Sequence, residues 1–163
     1  MSARHRVPRA ALALLSAAWV VMGSAADAAD PSAKSAAAVP PVWQKVVARK
    51  GGCLMYVPPD WTVNPALKGT AGMSDNSASA VISLADSAST LAQVKPVMQG
   101  NYPPTRTFED TAHRLWYQYG TGARASFYVG VPVKGGICGA QITFKPGQEA
   151  IANRIAASVG PGS

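Results

Sequence analysis

Two cysteines, two histidines and a small set of aromatic and basic residues are the first candidates for chemistry in this chain. Cys53 and Cys138 are its only thiols. Their separation is far too wide for a Cys-x-x-Cys redox pair, and a metal centre would need more ligands than the neighbourhood supplies. After an amino-terminal export signal (below), His113 is the one histidine left. A Ser-His-Asp triad would have to use it as base, with Asp110 three residues away, a poor orienting distance on a strand. No Gly-x-Ser-x-Gly block supplies a nucleophile. Asp60, Asp75, Asp86, Glu109, Asp110 and Glu149 are the candidates for a carboxylate pair, and none sits in an aromatic, glycine-rich cleft context. Gly69-Thr70-Ala71-Gly72 and Gly120-Thr121-Gly122 are too short for phosphate loops and read as turns. The expectation is a protein without catalytic residues, cofactor or metal.

The compartment is read from the first residues. Arg4, Arg6 and Arg9 precede an apolar run from Ala10 to Met22, and small residues follow, with Ala26-Asp27-Ala28 fitting a small-x-small cleavage rule. Residues 1–28 are read as a secretory signal peptide. The run is shorter than the roughly 20 residues of a bilayer span, so it is not read as an anchor. No cysteine lies near the cleavage site, so no lipid anchor is expected, and no stable membrane insertion after cleavage. Residues 29–41 are rich in Ala, Pro and Ser and read as a disordered leader. Residues 42–160 are read as one domain, in a protein expected in the bacterial periplasm or secreted. The net charge of +7 falls to +5 once the signal takes away three arginines and Asp27. The charges are scattered apart from Lys45, Arg49 and Lys50. With no basic stripe, nucleic acid is not an expected partner. In an oxidising compartment an even cysteine count favours a Cys53–Cys138 disulfide, with two buried free thiols as the alternative. Closing so long a loop stabilises by roughly 4 kcal/mol in the chain-entropy model. With Cys53 on the first predicted strand and Cys138 on the last, the bridge is expected to join the two ends of one sheet.

The elements that would position these residues follow from periodicity. Pro41 to Lys50 is a short helix or an extended lead-in. Gly52 to Val57 reads as a strand stopped by Pro58-Pro59. Asn64 to Asp75 is a loop or weak strand, and Ala78 to Ala85 alternates as a half-buried strand. Ser89 or Thr90 caps a helix with Leu91, Val94 and Met98 on one stripe, shortened or kinked by Pro96. Four strands follow with short turns: Arg106 to Asp110, His113 to Tyr119, Ala123 to Val133 and Gly136 to Phe144. Ile151, Ile155 and Val159 then recur at helical spacing. The fold class is α+β: an antiparallel meander with helices packed on the sheet, including a C-terminal amphipathic helix.

Period two assigns the faces. Leu115, Tyr117 and Tyr119 are placed with Phe127, Val129, Cys138, Ala140 and Ile142 on the core face. The other face then carries Arg114, Trp116, Arg124, Tyr128 and Gln141, with Tyr128 opposite Gln141 and beside Trp116. A Trp/Tyr/Arg group on a sheet has the composition of a protein-binding surface, unless a loop or second helix covers it.

The block GGCLMYVPPDW, from Gly51 to Trp61, resembles the opening strand of PsbP-like domains, in which a Gly-aromatic-x-apolar strand runs into Pro-x-x-Trp. Pro58 and Trp61 match, and Cys53 stands where an aromatic is usual. The strand GAQITF and the closing helix EAIANRIAASV, with its Ile-x-x-Ser-Val ending at Ile155 to Val159, are similar to the same family. The resemblance covers roughly Trp43 to Val159. It implies an antiparallel sheet sandwiched by helices and a non-enzymatic role, as in photosystem accessory subunits, envelope lipoproteins and chaperones of secreted effectors. The missing lipobox departs from the lipoprotein members. The expected function is that of an exported protein-binding protein, such as an immunity protein or chaperone for a secreted antibacterial effector. Alternatives are an envelope structural or stress-related protein or, further off, a small hydrolase.

Overall fold

The computed structural model describes residues 42–121 and 123–162. The signal and leader readings, residues 1–28 and 29–41, lie outside them. Two antiparallel sheets and two helices make an α+β fold. The small sheet holds β1 (Gln44–Val47), β2 (Cys53–Val57) and β10 (Gly160–Pro161), in the order β1-β2-β10. The large sheet holds β3 (Thr62–Val63), β4 (Thr70–Gly72), β5 (Ala78–Ala85), β6 (Pro104–Asp110), β7 (Leu115–Tyr119), β8 (Ala125–Val133) and β9 (Gly136–Phe144). Its order is β3-β4-β5-β9-β8-β7-β6, so the four last strands form the expected meander. Helix α1 (Leu91–Asn101) carries the chain from β5 to the far edge at β6, and α2 (Glu149–Ser158) closes the fold.

Of the two readings of Pro41 to Lys50, a short helix or an extended lead-in, residues 44–47 take the extended one, since β1 pairs along β2 from Gln44↔Val57 to Val47↔Leu54. Asn64 to Asp75 is a loop that holds the short β4. The GGCLMYVPPDW block is built as a fold marker. Cys53, Met55 and Val57 are fully buried, and the Pro-Pro turn is held by Gln44, whose Nε2 donates to the carbonyls of Pro58, Pro59 and Trp61 at 3.1, 2.9 and 2.9 Å. That turn seats Trp61 in the core at 3% exposure.

The main core lies between one face of the large sheet and a layer made of β2 and α2. Phe127, Val129, Ala140 and Ile142 meet Met55, Val57, Ile155 and Ala156 there. The amphipathic stripe of α2 is therefore used as its spacing dictates. A second, smaller core lies on the opposite face, where Leu91 of α1 covers Leu115, Tyr117, Tyr128 and Ile137, flanked by Val94 and Met98. Helix α1 keeps Pro96 within its 11 residues, and Gln93 Oε1 accepts from the Ser89 and Thr90 backbone N–H groups at 2.8 and 3.1 Å, satisfying donors at the helix start.

Cys53 and Cys138 form a disulfide with Cα atoms 5.5 Å apart, both ends fully buried. The bridge does not join the ends of one sheet. Cys53 belongs to the small sheet and Cys138 to a central strand of the large one, so it bolts the two layers together through the main core. A buried disulfide fits an oxidising compartment and hence an exported protein. No helix among the described residues is long and apolar enough to cross a membrane.

Candidate functional site

The aromatic group expected on one face is split between two. The β8–β9 hairpin has the anticipated register, with Val131↔Cys138 and Tyr128↔Gln141. Strand β7 is one residue out of phase with the expectation. Trp116 pairs with Val129 and Tyr117 with Tyr128, and a slip of one residue moves every side chain to the other face. Trp116 therefore joins the main core, stacked near Phe108 and Phe127 with ring centroids 5.0 and 6.0 Å away. Its indole nitrogen is buried and has no hydrogen-bond partner among the described residues.

Tyr128 lies on the opposite side, 3% exposed beneath α1, with Tyr117 5.4 Å away. Desolvation pushes its phenol up to about 12. Facing glycines make its seat. A Cβ at Gly130 would come within 3.3 Å of the Tyr128 ring and 2.9 Å of Leu91 Cδ2, and one at Gly139 within 3.4 Å of the Tyr128 hydroxyl oxygen. Gly130 and Gly139 pair across the hairpin, so a slot two strands wide receives the tyrosine and the first turn of α1.

Of the remaining residues of that group, Arg114 is tied into the fold. Arg114 Nη2 donates to the carbonyl of Ala156 in the last turn of α2, its Nε lies 4.0 Å from Glu109, and its guanidinium sits over the Trp116 ring, 5.6 Å from the centroid. A cation there complements the negative helix end. Burial lowers the Arg114 pKa, and Glu109 opposes that shift. Arg124 is exposed and reaches only the Asn76 carbonyl, at 3.5 Å. Gln141 is half-buried between Tyr128 and Val81 on the α1 side. His113 is exposed in the turn before β7, where its N–H donates to Thr111 Oγ1 at 3.2 Å, while Asp110 is paired with Lys95.

A different set of residues converges at the other end of the molecule. The outer side of β1 and the turn after it face the β3–β4 loop across a groove of about 540 Å³. Lys45, Val47 and Arg49 line one wall, and Val63, Asn64, Pro65 and Lys68 the other. A recess of about 590 Å³ adjoins it, sharing Arg49, Pro65 and Lys68 and adding Leu67. Three cations thus border a continuous depression whose lining, among the described residues, contains no carboxylate. None of the three forms an ion pair among the described residues, whereas the nearby Lys50 is paired with Asp86 at 2.6 Å. Val47 and Leu67 beside them are 41% and 62% exposed, both large apolar side chains open to solvent.

Local chemistry sets the shape of the loop wall. Asn64 Oδ1 accepts from the Ala66 and Leu67 N–H groups at 3.0 Å each, a side-chain turn that asparagine favours. Gly69 has φ +85, and a Cβ there would fall 2.5 Å from the Ile82 carbonyl oxygen. Its own carbonyl accepts from Ile82 N–H at 2.8 Å. Only glycine allows the loop to lie so close to β5, and that contact sets Lys68 at the rim facing β1. Sequence reasoning singled out Lys45 and Arg49 but not Lys68, which reaches them only through this loop.

One other hollow, of about 400 Å³, lies beside α1 and is lined by Leu91, Leu115 and Pro132. Its two charged residues, Lys95 and Asp110, already pair with each other. It presents no unmet charge, so the basic groove is the stronger candidate.

No protein-family model and no curated protein matches the chain. Among solved structures, the chain has a weak PsbP-like resemblance. It is similar to the solution structure of cyanobacterial PsbP (CyanoP) from Synechocystis sp. PCC 6803, with 14% sequence identity over 81% of this chain and 99% of that chain and a TM-score of 0.45.

Proposed function

We propose that this is a periplasmic interaction protein that holds an acidic partner protein in the groove between β1 and the β3–β4 loop. The observation that carries this reading is the convergence of Lys45, Arg49 and Lys68 on one depression with no carboxylate in its lining among the described residues. Three unpaired cations at close quarters repel one another, and a ligand that brings carboxylates relieves that repulsion and gains charge-assisted hydrogen bonds. The exposed Val47 and Leu67 add apolar contact beside the charges, the mixture typical of a protein interface. An immunity protein, or a chaperone for a secreted antibacterial effector, is the narrower form of the same role.

The test is retention of the native partner. The secreted chain, immobilised and exposed to extract of its own cell envelope, should retain a partner that elutes with rising salt, because rim charges are screened within about a Debye length of 8–10 Å. Lys45→Glu, Arg49→Glu and Lys68→Glu combined should abolish that retention. A partner held equally by wild type and triple variant would refute the groove as its site.

A further inference from the structure

We propose that the acidic partner is held by strand addition, as an extended segment that pairs with the outer edge of β1 and becomes a fourth strand of the small sheet. This presupposes the acidic partner proposed above and specifies how its backbone is held.

The hydrogen-bond phase of β1 gives the geometry. Ala48 N–H donates inward to the Cys53 carbonyl at 3.0 Å. In an antiparallel pair the inward and outward positions alternate, so Val46 and Gln44 also turn their N–H and C=O groups toward β2. Lys45 and Val47 then turn theirs outward. Strand β2 agrees from the other side. Tyr56, opposite Lys45, donates its N–H to Ser158 Oγ at 2.9 Å and accepts from the same hydroxyl at 3.4 Å. Leu54, opposite Val47, pairs with Gly160 of β10. Both therefore direct their polar groups away from β1. Two donors and two acceptors of Lys45 and Val47 open onto the groove, and no backbone or side-chain hydrogen bond from another described segment reaches them.

The groove fits a strand in length as well. The four residues of β1 give an edge of about 13 Å at about 3.3 Å per residue, and Arg49 follows in the turn that ends it. No proline interrupts this stretch of edge. An added strand would place alternate side chains beside Lys45 and Val47, which favours a carboxylate at one position and an apolar residue two positions on. Arg49 and Lys68 meet the next acidic residue.

Charge decides among occupants. A second copy pairing edge to edge would bring Lys45 and Arg49 of both molecules together. The chain's own residues 29–41 contain one aspartate and one lysine and so bring no net negative charge. An acidic segment of another protein meets the requirement.

The probe is a blocked eight-residue peptide of repeating Glu-Thr-Val-Thr, which sets Glu and Val two positions apart on one face, titrated calorimetrically into the secreted chain. Two further peptides carry N-methyl groups on alternate residues, one on each edge. One methylated peptide should bind about tenfold or more weakly and the other like the parent, since only one edge of the peptide donates to β1. In the bound state the amide protons of Lys45 and Val47 should exchange slowly with solvent. Equal affinity of both methylated peptides overturns strand addition, and the acidic-partner reading then survives if the triple charge reversal still abolishes binding. A parent peptide that does not bind also overturns strand addition, whatever the triple variant does to the native partner. A concentration-dependent dimer broken by the peptide assigns the edge to a second copy, and an oligothymidylate that competes equally assigns the groove to nucleic acid; each contradicts the proposal.

Discussion

The two faces around Trp116 and the groove beside β1 invert what composition suggests. The Trp/Tyr/Arg group has the make-up of a binding hot spot, yet its Trp116 and Tyr128 pack into two hydrophobic cores on opposite sides of one sheet. The β1 groove has lysines, an arginine and a short loop, and it is where unpaired charge and open backbone collect. Aromatic residues mark a surface only when nothing covers them, and here α1 covers one side while β2 and α2 cover the other. The proposed role rests instead on cations that are unpaired among the described residues.

That contrast makes separable predictions: changes in the interior should cost stability and spare partner binding, and changes in the groove should do the reverse. The largest stability loss is expected for Cys53→Ala with Cys138→Ala, which removes a cross-link closing a loop of 85 residues and should cost about 4 kcal/mol. Urea unfolding would measure it, and a loss below about 1 kcal/mol would mean that the layers do not need the bolt. Trp116→Ala comes next. It leaves a cavity beside Phe108 and Phe127 and should cost about 3 kcal/mol, with calorimetric affinity for the acidic peptide unchanged. Lost affinity at full stability would return Trp116 to the binding surface. Gly130→Ala should cost about 2 kcal/mol, because its Cβ would meet Leu91 at 2.9 Å and displace α1 from its slot. The smallest stability effect belongs to Lys45→Ala, Arg49→Ala and Lys68→Ala, each expected within about 0.5 kcal/mol of wild type, while together they remove binding.

Much of the fold was legible from sequence for local reasons. Lys134-Gly135 set the β8–β9 register, so Val131↔Cys138 and Tyr128↔Gln141 followed directly. The stripes at Leu91, Val94 and Met98, and at Ile151, Ile155 and Val159, gave both helices. Strand β7 was illegible in phase, because Leu-Trp-Tyr-Gln-Tyr is apolar on both faces and alternation cannot choose between them. Between Tyr119 and Ala125 the sequence also offers no two-residue turn of the kind that Lys134-Gly135 supplies. The second sheet was hidden because β1 and β10 are short and β10 pairs with β2 from the far end of the chain. The groove was half visible: Lys45 and Arg49 are close in sequence, but Lys68 joins them through the contact of Gly69 with β5, which no local pattern reports.

The most direct test of where function lies is an amide chemical-shift map of the isotope-labelled chain during titration with the Glu/Val peptide. The account predicts shifts confined to Lys45 through Arg49 and to the loop from Asn64 through Gly69, with Trp116 and Tyr128 unmoved. Shifts centred on β7 and β8, with β1 and the loop silent, would contradict it.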